Sequence, residues 1–309
     1  MAVINEVGPD AGLVWHHGNP VAEQRAMEAG RAVVRLSNRD IVEVSGPDRL
    51  DWLHSLTTQA LTGLRPGAST AALVLSPTGH LEHGFFGVDD GERLLAWTEP
   101  GRGQALVDWL TSMRFMMRVE VGLRPDLELV WAGDSTPLPQ AVALRASEIG
   151  GRDVFVPRGC AWDAFEAGTW AYEALRIAAG VPRLFIDTDA RTIPNEIGLL
   201  GTHLDKGCYR GQETVARVHT LGRPPRRLVQ LHLDGSVDAL PALGSPIKFN
   251  GRASGFVGGS ARHHELGPIA LGLVKRNVPV DAPLIVDGIA AAQTALVDPE
   301  VGLHFRATL

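Results

Sequence analysis

The sequence predicts an α+β protein with antiparallel sheets, closing in a small all-β unit of barrel type. Three observations carry that expectation. Short apolar runs in the first third of the chain are joined by tight turns, which favours antiparallel neighbours. The helical patterns do not alternate regularly with strands, so a doubly wound sheet is excluded. After a proline-rich stretch near residue 224 the pattern becomes strand-only, with two strong hairpin signals.

Ile41 to Val44 reads as a β-branched strand that stops at Gly46-Pro47-Asp48, where proline can occupy the first turn of a helix. Leu50, Leu53 and Leu56 then recur at helical spacing. Ala71 to Leu75 and Leu81 to Val88 form a hairpin about Ser76-Pro77-Thr78-Gly79, with proline pre-set for the second turn position. Asp89-Asp90-Gly91 turns the chain into Arg93 to Thr98, and Leu106, Val107, Leu110 and Met113 next share a helix face. Another helix is expected between Asp163 and Gly180. Thr169 can cap it, Ala171, Ala174, Leu175 and Ala178 share its apolar face with Arg176 off that face, and Gly180 with Pro182 ends it. Gly222 to Arg227 reads as a linker held extended by Pro224 and Pro225; its three arginines either attract an anion or are simply solvated. Strands follow at Leu228 to Leu233, Ile247 to Phe249, Ala253 to Val257, Ile269 to Lys275, Leu284 to Val286 and Ala290 to Val297. Asn250-Gly251 and Asp287-Gly288 mark hairpins, because both residues of a type I′ turn need positive φ.

At 309 residues the chain exceeds the usual size of a single core, so two or three cooperating units are expected. A net charge of −6, spread along the sequence, argues against a dedicated polyanion surface and so against nucleic acid as a direct ligand. Cys160 and Cys208 form no Cys-x-x-Cys pair, which rules out a disulfide framework or a four-thiolate metal site within one chain. His16-His17 and His263-His264 read as surface residues, so no metal site is expected. With no signal pattern at Met1 to Asp10 and no apolar run of membrane-spanning length, a cytoplasmic protein without a membrane partner is expected.

The stretch richest in chemistry is Lys206-Gly207-Cys208-Tyr209-Arg210-Gly211-Gln212-Glu213. Nearby cations favour a thiolate over a thiol, and the two glycines let the backbone turn and keep Cys208 accessible. The alternative is a small buried cysteine beside a tight turn.

Through Val215-Ala216-Arg217 this run resembles the signature of the YgfZ family, folate-binding proteins implicated in maintaining iron-sulfur enzymes and relatives of the glycine-cleavage T-protein, an aminomethyltransferase. Val44 to Leu50, Arg176 to Pro182 and Ile193-Pro194 are similar to the same superfamily, whereas about Leu123 to Ala161 the similarity is weak. The resemblance implies a T-protein-like ring of three units: an α+β folate-binding unit at 1–122, a second α+β unit at 123–222 carrying the Cys loop, and a β-barrel at 223–309. It also implies tetrahydrofolate or another reduced folate as cofactor, and iron-sulfur client enzymes or assembly proteins as partners.

On that resemblance Cys208 and Lys206 are the reactive pair, with Lys206 and Arg210 stabilising the thiolate. Arg176, Asn195, Glu196, Tyr209, Gln212, Glu213 and Arg217 are the candidate folate contacts, the arginines for the glutamyl tail and the amide and carboxylate edges for the pterin. Duller readings stand beside these: Glu173 with Arg176, and Glu213 with Arg217 if helical, are spaced for ion pairs. Glu82-His83 stand where the T-protein carries an assisting aspartate, and Gly150-Gly151-Arg152-Asp153 lacks the glutamate of the T-protein Gly-Glu-x-Gly pattern. His83 reads as structural rather than as a base, and Asp153 as a possible substitute for that glutamate. The expected function is folate-linked support of iron-sulfur cluster assembly or repair through Cys208. The alternatives are a tetrahydrofolate-dependent aminomethyltransferase and a scaffold in which Cys208 is incidental.

Overall fold

The computed structural model describes residues 1–304, and its contacts gather into two compact units, each assembled from separated segments. The first comprises Met1–Leu75, Glu82–Tyr172 and Gly201–Arg210; the second comprises Ser76–Leu81, Glu173–Leu200 and the chain from Gly211 onward.

In chain order, β1 (Val3–Ile4) and β2 (Val14–His16) form a ribbon, α1 (Pro20–Glu28) follows with Asn19 as its cap, and β3 (Ala32–Leu36) and β4 (Asp40–Ser45) come next. Helix α2 (Arg49–Leu56) starts later than the sequence implied. Pro47 lies before the cap residue Asp48, and the Asp48 carboxylate, instead of capping, accepts from the backbone and guanidinium of Arg118. Strands β5 (Ser69–Leu75), β6 (Leu81–Asp89) and β7 (Arg93–Thr98) fall where expected, and the Gly79 N–H closes the turn onto Ser76 O at 2.9 Å. Helix α3 (Gly103–Ser112) buries Leu106, Val107 and Leu110, but Met113 caps it and is 42% exposed.

The stretch of weak similarity holds β8 (Glu120–Leu123), β9 (Leu127–Ala132), β10 (Ala143–Ala146), β11 (Arg152–Pro157) and β12 (Phe165–Ala167). Helix α4 (Thr169–Ala178) begins on Thr169 itself, and Gly180 ends it at φ 71°. A short 3₁₀ turn, Pro194–Ile197, precedes α5 (Gln212–Leu221). The remainder is β13 (Arg226–Leu233), β14 (Pro246–Phe249), β15 (Arg252–His263), β16 (Gly267–Lys275), β17 (Leu284–Val286) and β18 (Ile289–Ala295).

The first unit carries two five-stranded sheets, in the orders β5-β6-β7-β4-β8 and β10-β11-β9-β3-β12. Pairing is antiparallel in β3–β9, β4–β7 and β6–β7, and parallel in β12–β3. Under the first sheet, Trp52 and Leu53 of α2 pack with Leu106 and Leu110 of α3 against Val42, Phe85 and Leu94. The second sheet threads a strand from early in the chain, β3, between strands formed about a hundred residues later.

In the second unit β13-β16-β15-β14-β17-β18 close into a barrel around Val229, Leu231, Ile247, Val257 and Leu284. Both hairpin signals are realised, with φ of 49° and 76° at Asn250-Gly251 and 52° and 82° at Asp287-Gly288. The stretch read as a linker is irregular from Gly222 to Pro225 and enters β13 at Arg226, and its arginines are not free for an anion. Arg223 pairs with Glu300, Arg226 with Glu196 and Asp189, and buried Arg227 donates to Val278 O and Gln293. Among the described residues no helix is long and apolar enough to cross a membrane.

Candidate site at the Cys208 loop

Cys208 lies exposed on a loop that three neighbouring side chains fasten to the first unit. Lys206 is 8% exposed, and its ammonium donates to the carbonyls of His54, Thr57 (2.5 Å) and Gln59 (3.3 Å). Those carbonyls lie at and just beyond the C-terminal end of α2, where the last turn has no amide partners and the helix dipole favours a cation. The Lys206 ammonium also stands 5.0 Å from the centre of the Tyr209 ring. Burial alone pulls the Lys206 pKa down to about 8 and pushes that of the buried Tyr209 phenol up to about 12. Arg210 is tied to Glu82 of β6 at 2.9 Å. Lys206 and Tyr209 are thus buried on either side of the exposed Gly207-Cys208 pair.

This corrects two expectations. Lys206 directs its donors to backbone carbonyls rather than toward the thiol, and Arg210 is matched by a carboxylate. Nor do both glycines serve the turn. Gly211 sits at φ 79° at the head of α5, where a Cβ would meet Ser76 O at 2.4 Å, whereas Gly207 has no positive φ and open space around it. Beside Glu82, His83 faces Trp109 of α3 with ring centres 6.0 Å apart. Burial holds the His83 pKa below the usual imidazole value, and its Nδ1 is enclosed without a hydrogen-bond partner.

The residues nominated for folate divide sharply. Arg176 was placed off the apolar face of α4, yet it is 1% exposed. Its guanidinium binds Glu173 at 2.6 Å, Asp187 at 2.7 Å and the carbonyl of Val181. Burial opposes that charge, but the two carboxylates outweigh it and its pKa ends raised. Asp187 also accepts from the Gly259 N–H at 2.6 Å, and a Cβ on Gly258 would come within 2.1 Å of its Oδ1, so glycine is needed there. Glu196, 1% exposed, is bonded to Arg226 at 2.8 Å. Neither Arg176 nor Glu196 therefore offers a free group to a ligand.

Asn195 donates to Val215 O and keeps its buried Oδ1 unbonded beside a cavity of about 80 Å³ lined by Leu199, Val218, His219 and Val297. Gln212, Glu213 and Arg217 lie on α5, where Glu213 and Arg217 form the expected i,i+4 pair at 2.5 Å. Asp153 is not available as a substitute for the missing glutamate: it is buried between Arg145 and the Trp97 indole, and burial raises its pKa. Of the nominated set, Gln212, Glu213, Arg217 and the Asn195 oxygen are what the structure leaves unburied or unbonded. His263, read as a surface residue, is buried and accepts from the backbone N–H groups of Glu265 and Leu266.

No family model matches the chain. A chloroplastic protein of Arabidopsis thaliana named as a transferase is 25% identical over 86% of this chain and 70% of its own length. The mitochondrial iron-sulfur cluster assembly factor IBA57 of Mus musculus is 27% identical over 66% of this chain and 67% of its own. The tRNA-modifying protein YgfZ of Yersinia enterocolitica is 40% identical over a shorter stretch, 25% of this chain and 23% of its own. In structure, the glycine cleavage system aminomethyltransferase T of Bartonella henselae superposes with a TM-score of 0.79 over 97% of this chain and 95% of its own, at 17% identity. The chain therefore has the fold of the aminomethyltransferase T-protein, and in sequence it is similar to YgfZ and to IBA57.

Proposed function

We propose that the chain is a folate-binding protein that supports the assembly or repair of iron-sulfur clusters in client enzymes, with Cys208 as its reactive group. The observation that carries this reading is a thiol left exposed while Lys206, Tyr209 and Arg210 around it are anchored. Such a loop presents sulfur in a fixed position, which a merely structural cysteine does not need. One sulfur cannot hold a cluster, so Cys208 acts together with ligands from a partner. The net charge of −6 gives a polyanion little to bind, so nucleic acid is not a direct ligand on this reading. A reduced folate is the ligand class that the YgfZ-like relationship favours, and the site is in the cytoplasm on this reading.

A second reading, a tetrahydrofolate-dependent aminomethyltransferase, is favoured by the T-protein fold. Against it stands Glu82, which occupies the strand position of the assisting carboxylate but is paired with Arg210. The test is Cys208→Ala expressed in cells lacking the native gene. Loss of most iron-sulfur enzyme activity with unchanged protein level is expected. Full rescue would remove the thiol from the function and leave the transferase reading in front.

A further inference from the structure

Thr111 to Met116, six residues in succession at the end of α3, are exposed, and three of them are large and apolar. Met113 is 42% exposed, Phe115 90% and Met116 85%. Adjacent side chains so fully in water are not explained by the core beneath them.

The segment is also held rigidly. The Trp52 indole donates to Met113 O at 3.2 Å, the Met117 N–H returns to Arg114 O at 2.9 Å, and the Arg118 N–H and guanidinium are gripped by Asp48 at 2.8 and 2.6 Å. On the far side, a Cβ on Gly46 would meet Arg118 O at 2.2 Å, so the two backbones are in close contact. Between these clamps Phe115 is kept at φ 39°, a left-handed conformation that a bulky residue disfavours. The backbone therefore bears strain to hold an aromatic ring out in solvent. A knob fixed in this way loses little freedom on docking.

Charge and position narrow the occupant. Arg114, in the middle of the knob, is exposed and has no side-chain partner among the described residues, so the matching surface is apolar with carboxylates at its edge. Met113 follows Trp109 by four residues, one turn along the same face. Trp109 meets His83, which adjoins Glu82, the partner of Arg210 on the Cys208 loop. We infer that Met113 to Met116 form a docking knob for a partner protein whose apolar pocket is rimmed by acidic side chains. This rests on the proposed function, and the partner is the client or assembly protein that Cys208 serves.

The test uses the full chain in cells lacking the native gene. Phe115→Ser with Met116→Ser is expected to lower rescued iron-sulfur enzyme activity at least about tenfold, the size of effect typical of central anchors. Phe115→Leu with Met116→Leu retains it within about twofold, and Arg114→Glu lowers it several-fold, since a reversed charge faces carboxylates. The purified serine pair melts with the wild-type chain, because the side chains removed are already in water. Wild-type rescue by the serine pair overturns the inference. If that happens while Cys208→Ala fails, the knob is idle and the proposed function stands; if the serine pair fails while Cys208→Ala rescues, the docking surface stands and the thiol role falls. Binding of the wild-type chain to phosphatidylserine vesicles, or a dimer by sedimentation, that the serine pair abolishes assigns the knob to a membrane or a second copy and also overturns it.

Discussion

Arg176 and Lys206 are both buried cations, and the protein meets them in opposite ways. Arg176 is ringed by the carboxylates of Glu173 and Asp187, so its charge is held against burial and its pKa is raised. Lys206 meets neutral carbonyls and an aromatic ring, so burial prevails and its pKa falls to about 8. The difference shows that one cation is locked into a core network, whereas the other fastens a loop and is within reach of mild alkali.

The largest effect expected from breaking this comparison is at Arg176. Arg176→Met strands two carboxylates, Asp187 fully buried, and should cost about 3–5 kcal/mol by urea unfolding. Lys206→Met leaves no charge behind and removes donors from carbonyls at the end of α2. About 1–2 kcal/mol at pH 7 is expected from that loss of charge-assisted bonds, together with faster alkylation of Cys208 as the loop loosens.

A pH series sharpens the contrast. Because the folded pKa of Lys206 lies near 8 and the unfolded one near the ordinary lysine value of about 10.4, the unfolded chain binds more protons between them. The contribution of this group to stability therefore rises as pH climbs through that window. The melting temperature of wild type relative to Lys206→Met should increase from pH 8 to pH 10, and a flat difference would refute the assignment. The smallest effect is at the rim: Glu82→Ala, which breaks an ion pair about one-third exposed on both sides, should cost at most about 0.5 kcal/mol and vanish in high salt.

What could be read from the sequence follows the same physics. The barrel strands were legible because Asn250-Gly251 and Asp287-Gly288 announce their turns and the strands between are rich in apolar residues. Strands β3 and β9 were not, since both are buried almost throughout and so lack the alternation that marks a half-exposed strand. Glu128 in β9 even looks like a surface residue until Arg35 is seen to meet it. At the site, the importance of the Cys loop was legible, but the fates of its cations were not. The partners of Lys206 are main-chain carbonyls about 150 positions away, which no side-chain pattern reveals. The Glu173–Arg176 spacing showed one carboxylate; Asp187, beyond the end of α4, was the one that turned a surface pair into a buried network. Phe115 and Met116 do carry a sequence signal, an apolar pair beyond the last buried turn of a helix.

The placement of β3 has a consequence for biosynthesis. Its neighbours in the sheet are β9 and β12, so Ala32–Leu36 leaves the ribosome with neither edge covered until Leu127–Ala132 and then Phe165–Ala167 emerge. At about 5–20 residues per second that wait is on the order of ten seconds. Throughout it a Val-rich segment is exposed to chaperones and to neighbouring nascent chains, and any fragment ending before Leu127 would be made with that segment permanently bare.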